Sequence, residues 1–565
     1  MSSTRWYITM KSMKTFVKNS FIIRNFIRSY RSAFGQPKWT QLIGERGDKF
    51  SESANKVKDI LFCTGGGGYT GATHIESMLS LAMQKRGFQT HVLLCDEVLP
   101  GCLQSNIDWD RNEKRFAKSG PPKIHCISCF KPAAKMYDSI DCQVHRIGEL
   151  VTLEQRKSVY ELVLKLRRED IKEYIFDEIP VGEHAYAGTL RFYAKAELND
   201  PYSEQILRRY LEASIISTIA IKKLCNKISF YRSVLHHGIY VPQGVFAESL
   251  IKLKIPIVTW HVAYRKETFM FSHQGTYHRT LMTEPVNSWE NTPWSDKRNN
   301  ETLEYLNSRW FGSKDWIHFH RNTVFDKDIL YNNLGIIKNK PYVLLLTNVM
   351  WDAQLHYPNN AFSGMLEWIK YSINWFINHP ELQLVIRVHP AEVTGTLPSR
   401  QLVVEEIKKE FGVLPKNIIV IGPENTISTY VLAEECNAAI IYGTKTGVEL
   451  AAKGIPVIVA GEAWIRNKGV SIDVNTPLQY ESVLNSLPFK DRMRESEIIR
   501  ARKYAFHFFF RRMIPLTFIK AKKNSIAPFQ FDIKDISELG QGKNRGLDII
   551  CEGIINGSPF VYDSE

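Results

Sequence analysis

Cysteine and long apolar runs are both scarce in this sequence of 565 residues. Nine cysteines are too few and too scattered for a disulfide framework, which agrees with a reducing compartment. The chain has no uninterrupted apolar run of the roughly 18 residues from which a membrane-spanning helix is built. Its first residues also lack the apolar core and small-residue cleavage site of a secretory signal. We therefore expect a cytoplasmic protein without a membrane span.

Acidic side chains are absent from the first 40 residues, where eight Lys and Arg side chains lie among aromatic and aliphatic ones. This composition is typical of contact with an anionic membrane surface, although a disordered basic tail would share it. We therefore expect the protein to attach peripherally to the inner face of the plasma membrane. The whole chain carries a formal net charge of +14, but it contains no recognisable nucleic-acid module, so we expect no nucleic-acid partner.

The most regular pattern lies in residues 341–490, where short apolar runs alternate with segments of helical periodicity. The runs are "YVLLLTNV", "LQLVIRVH", "NIIVIG", "AAIIYG" and "IPVIVAG". Continuous apolar strands separated by helices predict a parallel sheet that is covered on both faces. Ligands of such sheets bind beyond the carboxyl ends of the strands.

The first half of the chain alternates in the same way but less regularly. We predict its strands at 58–64 and 90–96 and in "EYIFDE", "KISFYRSVLHHG" and "PIVTWHVAY". The chain is therefore predicted to be an α/β protein with two Rossmann-like lobes that face a cleft. The predicted segments are a basic N-terminal segment, a first lobe with a cysteine-rich insert, a second lobe, and a C-terminal helix and tail, at 1–50, 51–335, 336–490 and 491–565.

A glycine-rich stretch, "CTGGGGYTGATH", follows the first predicted strand and precedes a predicted helix. Gly66, Gly68 and Gly71 have the spacing of a dinucleotide-binding turn, and Asp96 follows at a distance that invites comparison with the ribose-binding acid. A tight strand-to-helix connection without any nucleotide would look the same. Because the run including Gly67 clears more side-chain bulk than the fingerprint needs, we interpret it as an acceptor or phosphate loop rather than an NAD site.

Several motifs together resemble a known family, the bacterial capsule polysaccharide biosynthesis proteins. They are "GGGGYTGATH", "IPVGEHAYAGTLRF", "HHGIYVPQG", "YRKETFMFSHQGTYH", "TNVMWDAQ", "RVHPAE" and "YGTKTGVELAAKGIPVIVAG", and they span about residues 58–470. The resemblance implies a glycosyltransferase of glycosyltransferase-B architecture. It would transfer a sugar from a nucleotide-sugar donor to a polysaccharide or lipid-linked glycan acceptor, and we expect no cofactor to be required for catalysis.

The motif "YGTKTGVEL" is the strongest candidate for the donor site. A strand ends before Thr444, and a helix with Glu449 in its first turn begins near Thr446, so backbone N–H groups and two hydroxyls could receive a diphosphate. Lys445 would neutralise the leaving phosphate, with Gly447 in the same turn. The resemblance implies that Glu449 binds the ribose hydroxyls, although it could merely favour the helix N-terminus electrostatically.

The "RVHP" motif places Arg387 and His389 at the end of the second strand of the same lobe. His389 and Pro390 resemble the nucleotide-contacting element of sialyltransferase-like and capsule-type enzymes, which implies that Arg387 and His389 neutralise a phosphate or contact the base. A His in a strand is otherwise commonly a structural residue.

Transfer to a hydroxyl also needs a group that takes the acceptor's proton. Our candidates for catalysis are His74, Asp177 and His237, all at predicted strand ends or helix starts of the first lobe. Asp352 follows the first strand of the second lobe and could contact substrate from the cleft. Each of these side chains could equally be structural.

Five of the nine cysteines fall between residues 95 and 142, and "HCISC" contains a C-x2-C pair. A C-x2-C supplies two of the four ligands of a structural zinc site. We therefore predict that Cys102, Cys126 and Cys129 bind zinc with a fourth ligand nearby, against the alternative of ordinary buried thiols.

These observations favour a transferase that acts in the synthesis of a capsular or other surface polysaccharide. Two alternatives stay open from the sequence. One is a nucleotide-sugar epimerase of the same fold, and the other is a noncatalytic protein that binds or exports polysaccharide.

Overall fold

The computed structural model describes residues 20–43, 58–309, 312–316, 324–522 and 528–563. Most of the predicted N-terminal segment, residues 1–19 and 44–50, lies outside the described residues. The strands are β1 (Asp59–Gly65), β2 (Gln89–Leu94), β3 (Gln143–Arg146), β4 (Phe230–His236), β5 (Ile257–Val262), β6 (Thr268–His273), β7 (Tyr342–Leu346), β8 (Gln383–Arg387), β9 (Ile418–Ile421), β10 (Ala438–Ile441), β11 (Val457–Val459), β12 (Ile472–Asp473), β13 (Ile514–Pro515), β14 (Ile519–Ala521) and β15 (Phe529–Phe531).

The α-helices cover both faces of the sheets that these strands form. They are α1 (Phe21–Phe34), α2 (Thr40–Ile43), α3 (Thr70–Gln84), α4 (Glu113–Ser119), α5 (Lys123–Asp138), α6 (Ile147–Leu150), α7 (Leu153–Lys165), α8 (Val181–Tyr193), α9 (Ser203–Lys227), α10 (Gln243–Lys252), α11 (Tyr277–Thr283), α12 (Asp296–Ser308), α13 (Asp328–Asn332), α14 (Met365–Ile377), α15 (Ala391–Thr394), α16 (Val403–Phe411), α17 (Thr429–Glu435), α18 (Thr446–Ala451), α19 (Pro477–Leu484), α20 (Glu495–Phe506) and α21 (Arg545–Asn556).

The first sheet has the strand order β13-β6-β5-β4-β1-β2-β3. Its strands from β5 to β3 are parallel, whereas β6 and β13 pair antiparallel at one edge. Side chains of β1 alternate between two cores, because Leu61 and Cys63 pack on one face while Ile60 and Phe62 pack on the other. Burial on both faces explains why these strands are continuous apolar runs.

The second sheet is parallel throughout, with the order β12-β11-β10-β7-β8-β9. Leu344 and Leu346 of β7 point into one core, and Val343 and Leu345 point into the other. The two sheets and their helices confirm the predicted α/β class with two Rossmann-like lobes that face a cleft. All five strands predicted in residues 341–490 are present.

The segment "EYIFDE" does not form the predicted strand. Phe176 and Ile179 close a tight turn with an isolated bridge, and Asp177 and Glu178 between them adopt left-handed backbone conformations. Three of the six side chains are charged, so the segment cannot bury both faces as a central strand must. Sequence reasoning missed β3 in the first sheet and β12 in the second, two short parallel strands that are only partly buried.

The chain after residue 491 contributes to both lobes. Helix α20 packs against α18 of the second lobe and continues as a π-helical turn, His507–Arg511. Strand β13 then joins the edge of the first sheet by pairing with β6. The predicted C-terminal helix is thus α20 with its π-helical turn, and the segment boundaries proposed from sequence stay a prediction.

The glycine-rich loop lies beneath two helices. Gly67 and Gly68 are held by the segment after α1 and by α5, because the Gln36 side-chain amide donates to the Gly67 carbonyl (2.8 Å) and the Gly68 N–H donates to Cys129 Sγ (2.8 Å). A Cβ atom on Gly67 would lie 2.4 Å from the Cys129 carbonyl oxygen. Gly67 and Gly68 therefore permit close packing of helix on loop, which corrects the expectation that they cradle an acceptor or a phosphate. For Gly66, which lines a small cavity, that role stays a prediction.

Two further details complete this correction. The nearest atoms to a Cβ on Gly71 belong to Tyr69 and Phe529, so this glycine also faces protein. Asp96 accepts a hydrogen bond from the Gly148 N–H (2.7 Å), at the start of α6. The carboxylate thus serves a neighbouring turn, in agreement with the interpretation that this loop is not an NAD site.

We predict that Gly67→Ala destabilises the protein and that Gly66→Ala does not. Alanine at 67 must displace the α5 backbone, at a cost of ~1–3 kcal/mol for overpacking. A Cβ atom added at Gly66 has no atom within 4 Å apart from its chain neighbours, so Gly66→Ala is the matched control. Thermal unfolding of the two purified variants is the measurement. Equal melting temperatures would contradict the packing role.

Candidate functional site

A cavity of about 420 Å³ lies between the two lobes, beyond the carboxyl ends of β5, β7 and β10. This is where parallel α/β sheets bind ligands. Its polar lining comes from both sides of the cleft and includes Tyr264, Arg309, Asn348, Arg387, His389, Tyr430, Thr444, Lys445 and Thr446. Five of the residues predicted for the donor site, Arg387, His389, Thr444, Lys445 and Thr446, thus line one cavity.

The turn before α18 is organised by its own side chains. The Thr444 hydroxyl donates to the Thr446 hydroxyl (3.2 Å), and the Asn348 amide donates to the Gly443 carbonyl (3.1 Å). Since α18 has only six residues, its dipole adds little, and the hydroxyls and Lys445 provide the polar surface. Gly447 does not line the cavity. A Cβ atom added at this glycine would lie 2.5 Å from the Cδ1 atom of Ile441, so its Cα atom faces the core. That placement corrects its assignment to nucleotide contact.

Glu449 lies below the cavity rather than in it. Its side chain is 1% exposed and forms ion pairs with Arg309 (Nε to Oε1, 3.0 Å) and Lys445 (Nζ to Oε1, 3.4 Å), while Tyr430 donates its hydroxyl to the other oxygen. Glu449 therefore has no contact with the space where a ribose would bind, which corrects the role implied by the resemblance. Its place in the structure is to hold Arg309, Lys445 and Tyr430, all of which do line the cavity.

The charges of this cluster set its protonation. Burial raises the pKa of Glu449, but Arg309 and Lys445 outweigh that effect and hold the pKa at about 2. Burial and the neighbouring Arg309 lower the pKa of Lys445, and the Glu449 carboxylate opposes this shift. Arg309 and Lys445 therefore line the cavity as basic side chains that are paired with the Glu449 carboxylate beneath them.

Arg309 is a cavity residue that the sequence did not reveal. It follows α12, and its guanidinium also contacts the Asp315 carboxylate and the Tyr305 hydroxyl (3.0 Å). A single Arg in "LNSRWFG" carries no motif, and the neighbours that assign it to the site are far away in sequence. Only its buried pairing with Glu449 identifies it.

Arg387 and His389 both reach the cavity wall, with different roles. Arg387 is 2% exposed and donates to the carbonyls of Gly422 (2.6 Å) and Asn425 (2.9 Å), so it fixes the loop after β9. Burial lowers its pKa to about 10, which leaves it charged. The His389 ring accepts the Ala391 N–H at Nδ1 (3.0 Å), and this bond sets the orientation of the ring against the cavity.

A second, larger cavity of about 1260 Å³ adjoins the first on the side of the first lobe. The two share the side chains of His261, His278 and Asp352. Four arginines are prominent in the lining of the second cavity: Arg24, Arg31, Arg111 and Arg191. The cleft thus offers two adjoining binding spaces, of which the second is strongly basic.

His237, predicted as a catalytic residue, lines this second cavity. Its ring lies 4.1 Å from that of His236 and accepts the Ile239 N–H at Nδ1 (3.1 Å). Burial and the neighbouring histidines lower its pKa well below the usual range, so the ring is neutral at pH 7. Asp352 accepts the Tyr240 hydroxyl at the junction of the two cavities.

The structure does not bring His74 or Asp177 to the cleft. His74 is 2% exposed, its Nδ1 lies 2.6 Å from the Thr70 carbonyl, and its ring stacks on Phe531. Asp177 forms an ion pair with Lys222 (2.6 Å) and lines neither cavity. Both candidates are corrected: the first is a helix-packing residue, and the second sits on a surface turn.

Cys102, Cys126 and Cys129 line one small cavity of about 30 Å³ together with Cys95. Burial raises the pKa of each of these thiols, which keeps them protonated at neutral pH. Within the described residues, no three His, Cys, Asp or Glu side chains are grouped closely enough to hold a metal ion. Zinc binding therefore stays a prediction without geometric support.

Among the helices of the described ranges, none combines the length and the apolar character that crossing a membrane requires.

Comparison with known proteins adds one family. A family model described as "Capsule polysaccharide biosynthesis protein" matches residues 264–485, which include the Thr444–Thr446 turn. The match confirms, over those residues, the resemblance that the sequence motifs indicate. No curated protein matches the chain significantly.

Solved structures show only distant similarity. The KpsC β-Kdo 2,4-transferase of Thermosulfurimonas dismutans is 12% identical over 55% of this chain and 87% of that chain, with a TM-score of 0.34. The KpsC β-Kdo 2,7-transferase of the same organism is 12% identical over 57% and 88%, with a TM-score of 0.31. The UDP-GlcNAc 2-epimerase of Neisseria meningitidis is 10% identical over 78% and 94%, with a TM-score of 0.23. Similarity at this level supports no argument about function.

We predict that the stability contributed by Glu449 depends on pH in a defined window. Its folded pKa of about 2 lies below the ~4.3 of an unfolded chain, so the contribution is complete above that value and is lost as the pH falls toward 2. Glu449→Gln cannot titrate. The difference in unfolding free energy between parent and variant should therefore be constant near neutrality and narrow below about pH 5.

Chemical denaturation of both proteins between pH 7 and pH 3 measures this difference. Glu424→Gln is the control, because Glu424 is exposed on the loop after β9. A difference for Glu449→Gln that stays constant down to pH 3 would contradict the ion-pair assignment.

Proposed function

We propose that the protein is a glycosyltransferase that moves a sugar from a nucleotide-sugar donor to a capsular or other surface glycan. The observation that carries this proposal is the pair of adjoining cavities between the lobes. Transfer needs two substrates in one cleft, with the reacting atoms at the junction. The match of residues 264–485 to capsule polysaccharide biosynthesis proteins supports the choice of acceptor class.

The first cavity is assigned to the donor. Its wall presents the hydroxyls of Thr444 and Thr446, the ammonium of Lys445 and the guanidinium of Arg309. Cations and hydroxyls in a partly desolvated site suit a diphosphate, and they stabilise the negative charge that develops as the nucleotide leaves. His389 follows β8 and is oriented by the hydrogen bond from the Ala391 N–H. It would contact the nucleotide from the carboxyl end of β8.

The second cavity is assigned to the acceptor. Asp352 stands where the two cavities meet and is proposed as the base that takes the proton from the attacking hydroxyl. The Tyr240 hydroxyl, which donates to Asp352, orients the carboxylate. His237 lines the same space as a neutral ring and is assigned to acceptor positioning.

Two alternatives make different demands on the site. A nucleotide-sugar epimerase acts on one substrate and has no use for a second cavity of this size. A noncatalytic polysaccharide-binding or export protein has no use for the paired cations of Lys445 and Arg309. The transferase accounts for both features.

We further propose that the acceptor is reached at the membrane, with the protein attached peripherally to the cytoplasmic face. The basic composition of the first 40 residues supports this location. A lipid-linked glycan or a polysaccharide that grows on such a carrier fits the same acceptor cavity. Independence from a cofactor and from nucleic acid stays a prediction.

Lys445→Met should weaken binding of a nucleoside diphosphate by roughly tenfold or more, because a charge-assisted contact to phosphate is worth ~1.5–3 kcal/mol. Lys490→Met, on an exposed loop outside both cavities, is the matched control and should bind like the parent. Calorimetry with UDP, GDP, CMP and dTDP in turn first identifies the nucleotide. Parent-like affinity in a folded Lys445→Met protein would remove the donor-site assignment.

Asp352→Asn should lower turnover by about 100-fold or more while nucleotide affinity stays within a factor of about two, since a general base contributes ~10²–10⁴ to the rate. Asp491→Asn, exposed on the second lobe, controls for a generic change of charge. Product formation with a glycan acceptor, and epimerisation without one, are both assayed. Full transfer activity of Asp352→Asn would exclude this base, and acceptor-independent epimerisation by the parent would favour the epimerase.

A further inference from the structure

Helix α1 exposes its apolar face. Ile22, Phe26, Tyr30 and Phe34 recur at every fourth position and are 79%, 67%, 42% and 65% exposed. The rings of Phe26, Tyr30 and Phe34 contact one another in sequence along the helix. Residues four apart lie on one face, so these side chains form a continuous stripe.

The buried face of the same helix is polar, the reverse of an ordinary surface helix. Arg28 is 5% exposed and pairs with Asp110 (3.3 Å), and Arg24 is 7% exposed and donates to the Asp108 carbonyl (3.1 Å). Polar side chains therefore hold α1 against the first lobe, while its aromatic side chains are exposed to solvent. Since monomeric proteins rarely expose a contiguous apolar patch, the stripe indicates an interaction surface.

Helix α5 continues the surface. Ile124 and Ile127 are 63% and 38% exposed. Both helices cover the glycine-rich loop, because Ser32 of α1 and Cys129 of α5 each lie about 3 Å from the Cβ position of Gly68. On each helix, the exposed apolar side chains lie on the side opposite to the residue that contacts Gly68. The exposed faces of α1 and α5 therefore both point away from the glycine-rich loop.

The charge around this surface selects its partner. Arg31 and Lys38 are exposed beside the stripe, and Lys123, Lys131 and Lys135 are exposed on α5. The 20 residues that precede α1 in the sequence add four more cations and no acidic residue. Aromatic and aliphatic side chains bordered by cations match the headgroup region of an anionic bilayer.

We propose that the outer faces of α1 and α5 form the docking surface for an anionic membrane. The inference deepens the proposed function, on which it rests for its purpose: Arg24, Ile27 and Arg31 also line the second cavity. Helix α1 is thus both the docking element and a wall of the acceptor site. A membrane seated on its outer face brings lipid-linked acceptors to the rim of that cavity.

The test is co-sedimentation of the full chain with vesicles of phosphatidylglycerol and phosphatidylcholine in equal parts. The variant Phe26→Ser/Phe34→Ser should bind at least about tenfold more weakly, because two large apolar side chains no longer enter the bilayer. The matched control is Val413→Ser/Leu478→Ser, which removes two side chains of 96% and 77% exposure from the second lobe. It should bind like the parent.

Charge is tested separately. Lys123→Glu/Lys131→Glu should weaken binding at ~0.1 M salt, whereas Lys408→Glu/Lys409→Glu on α16 should not, and vesicles of phosphatidylcholine alone should bind the parent poorly. Equal vesicle binding by the parent and Phe26→Ser/Phe34→Ser would overturn the proposal. So would a concentration-dependent dimer that the serine variant abolishes without a change in vesicle binding, since the surface would then join two copies.

The docking-surface proposal and the proposed transferase activity can be refuted separately. Nucleotide affinity is measured without vesicles, and neither α1 nor α5 lines the donor cavity. Loss of vesicle binding with intact nucleotide affinity is the expected result for Phe26→Ser/Phe34→Ser. A parent that binds vesicles through this surface but binds no nucleotide would refute the transferase and leave the docking surface standing.

Discussion

The buried ion pair between Arg309 and Glu449 is the constraint on which the wall of the first cavity depends. A carboxylate that is 1% exposed is tolerated only because cations and a hydroxyl surround it. Once held, it fixes the positions of Arg309, Lys445 and Tyr430 at the cavity wall. Glu449 does not line the cavity, yet it determines which polar groups the cavity wall presents.

Burial also organises the second cavity. The Tyr240 hydroxyl donates to Asp352, the His237 ring packs against the Tyr240 ring, and burial keeps the His237 ring neutral. In the reaction that we propose, the oriented carboxylate would take the proton and the neutral histidine would position the acceptor hydroxyl. The arginines farther out give the second cavity its positive charge.

Helix α1 connects chemistry with location. Its inner face contributes arginines to the second cavity, and its outer face is apolar. The glycine-rich loop is part of this arrangement, since Gly67 allows α5 to approach the backbone and Gly68 lies against both helices. The glycine spacing of this loop resembles that of a nucleotide-binding turn. Gly67 and Gly68 instead pack against α1 and α5 and support these two helices.

The sequence by itself determined the α/β class, the strands of the second lobe and five residues that line the first cavity. These follow from local rules: strands buried on both faces are apolar runs, and their carboxyl ends supply the ligand site. Only the tertiary structure decided that Glu449 lies beneath the cavity, that Arg309 lines it, that His74 packs against Phe531 and that "EYIFDE" is a turn. Each of these depends on partners distant in the chain, because burial and ion pairing are properties of the assembled core and not of local spacing.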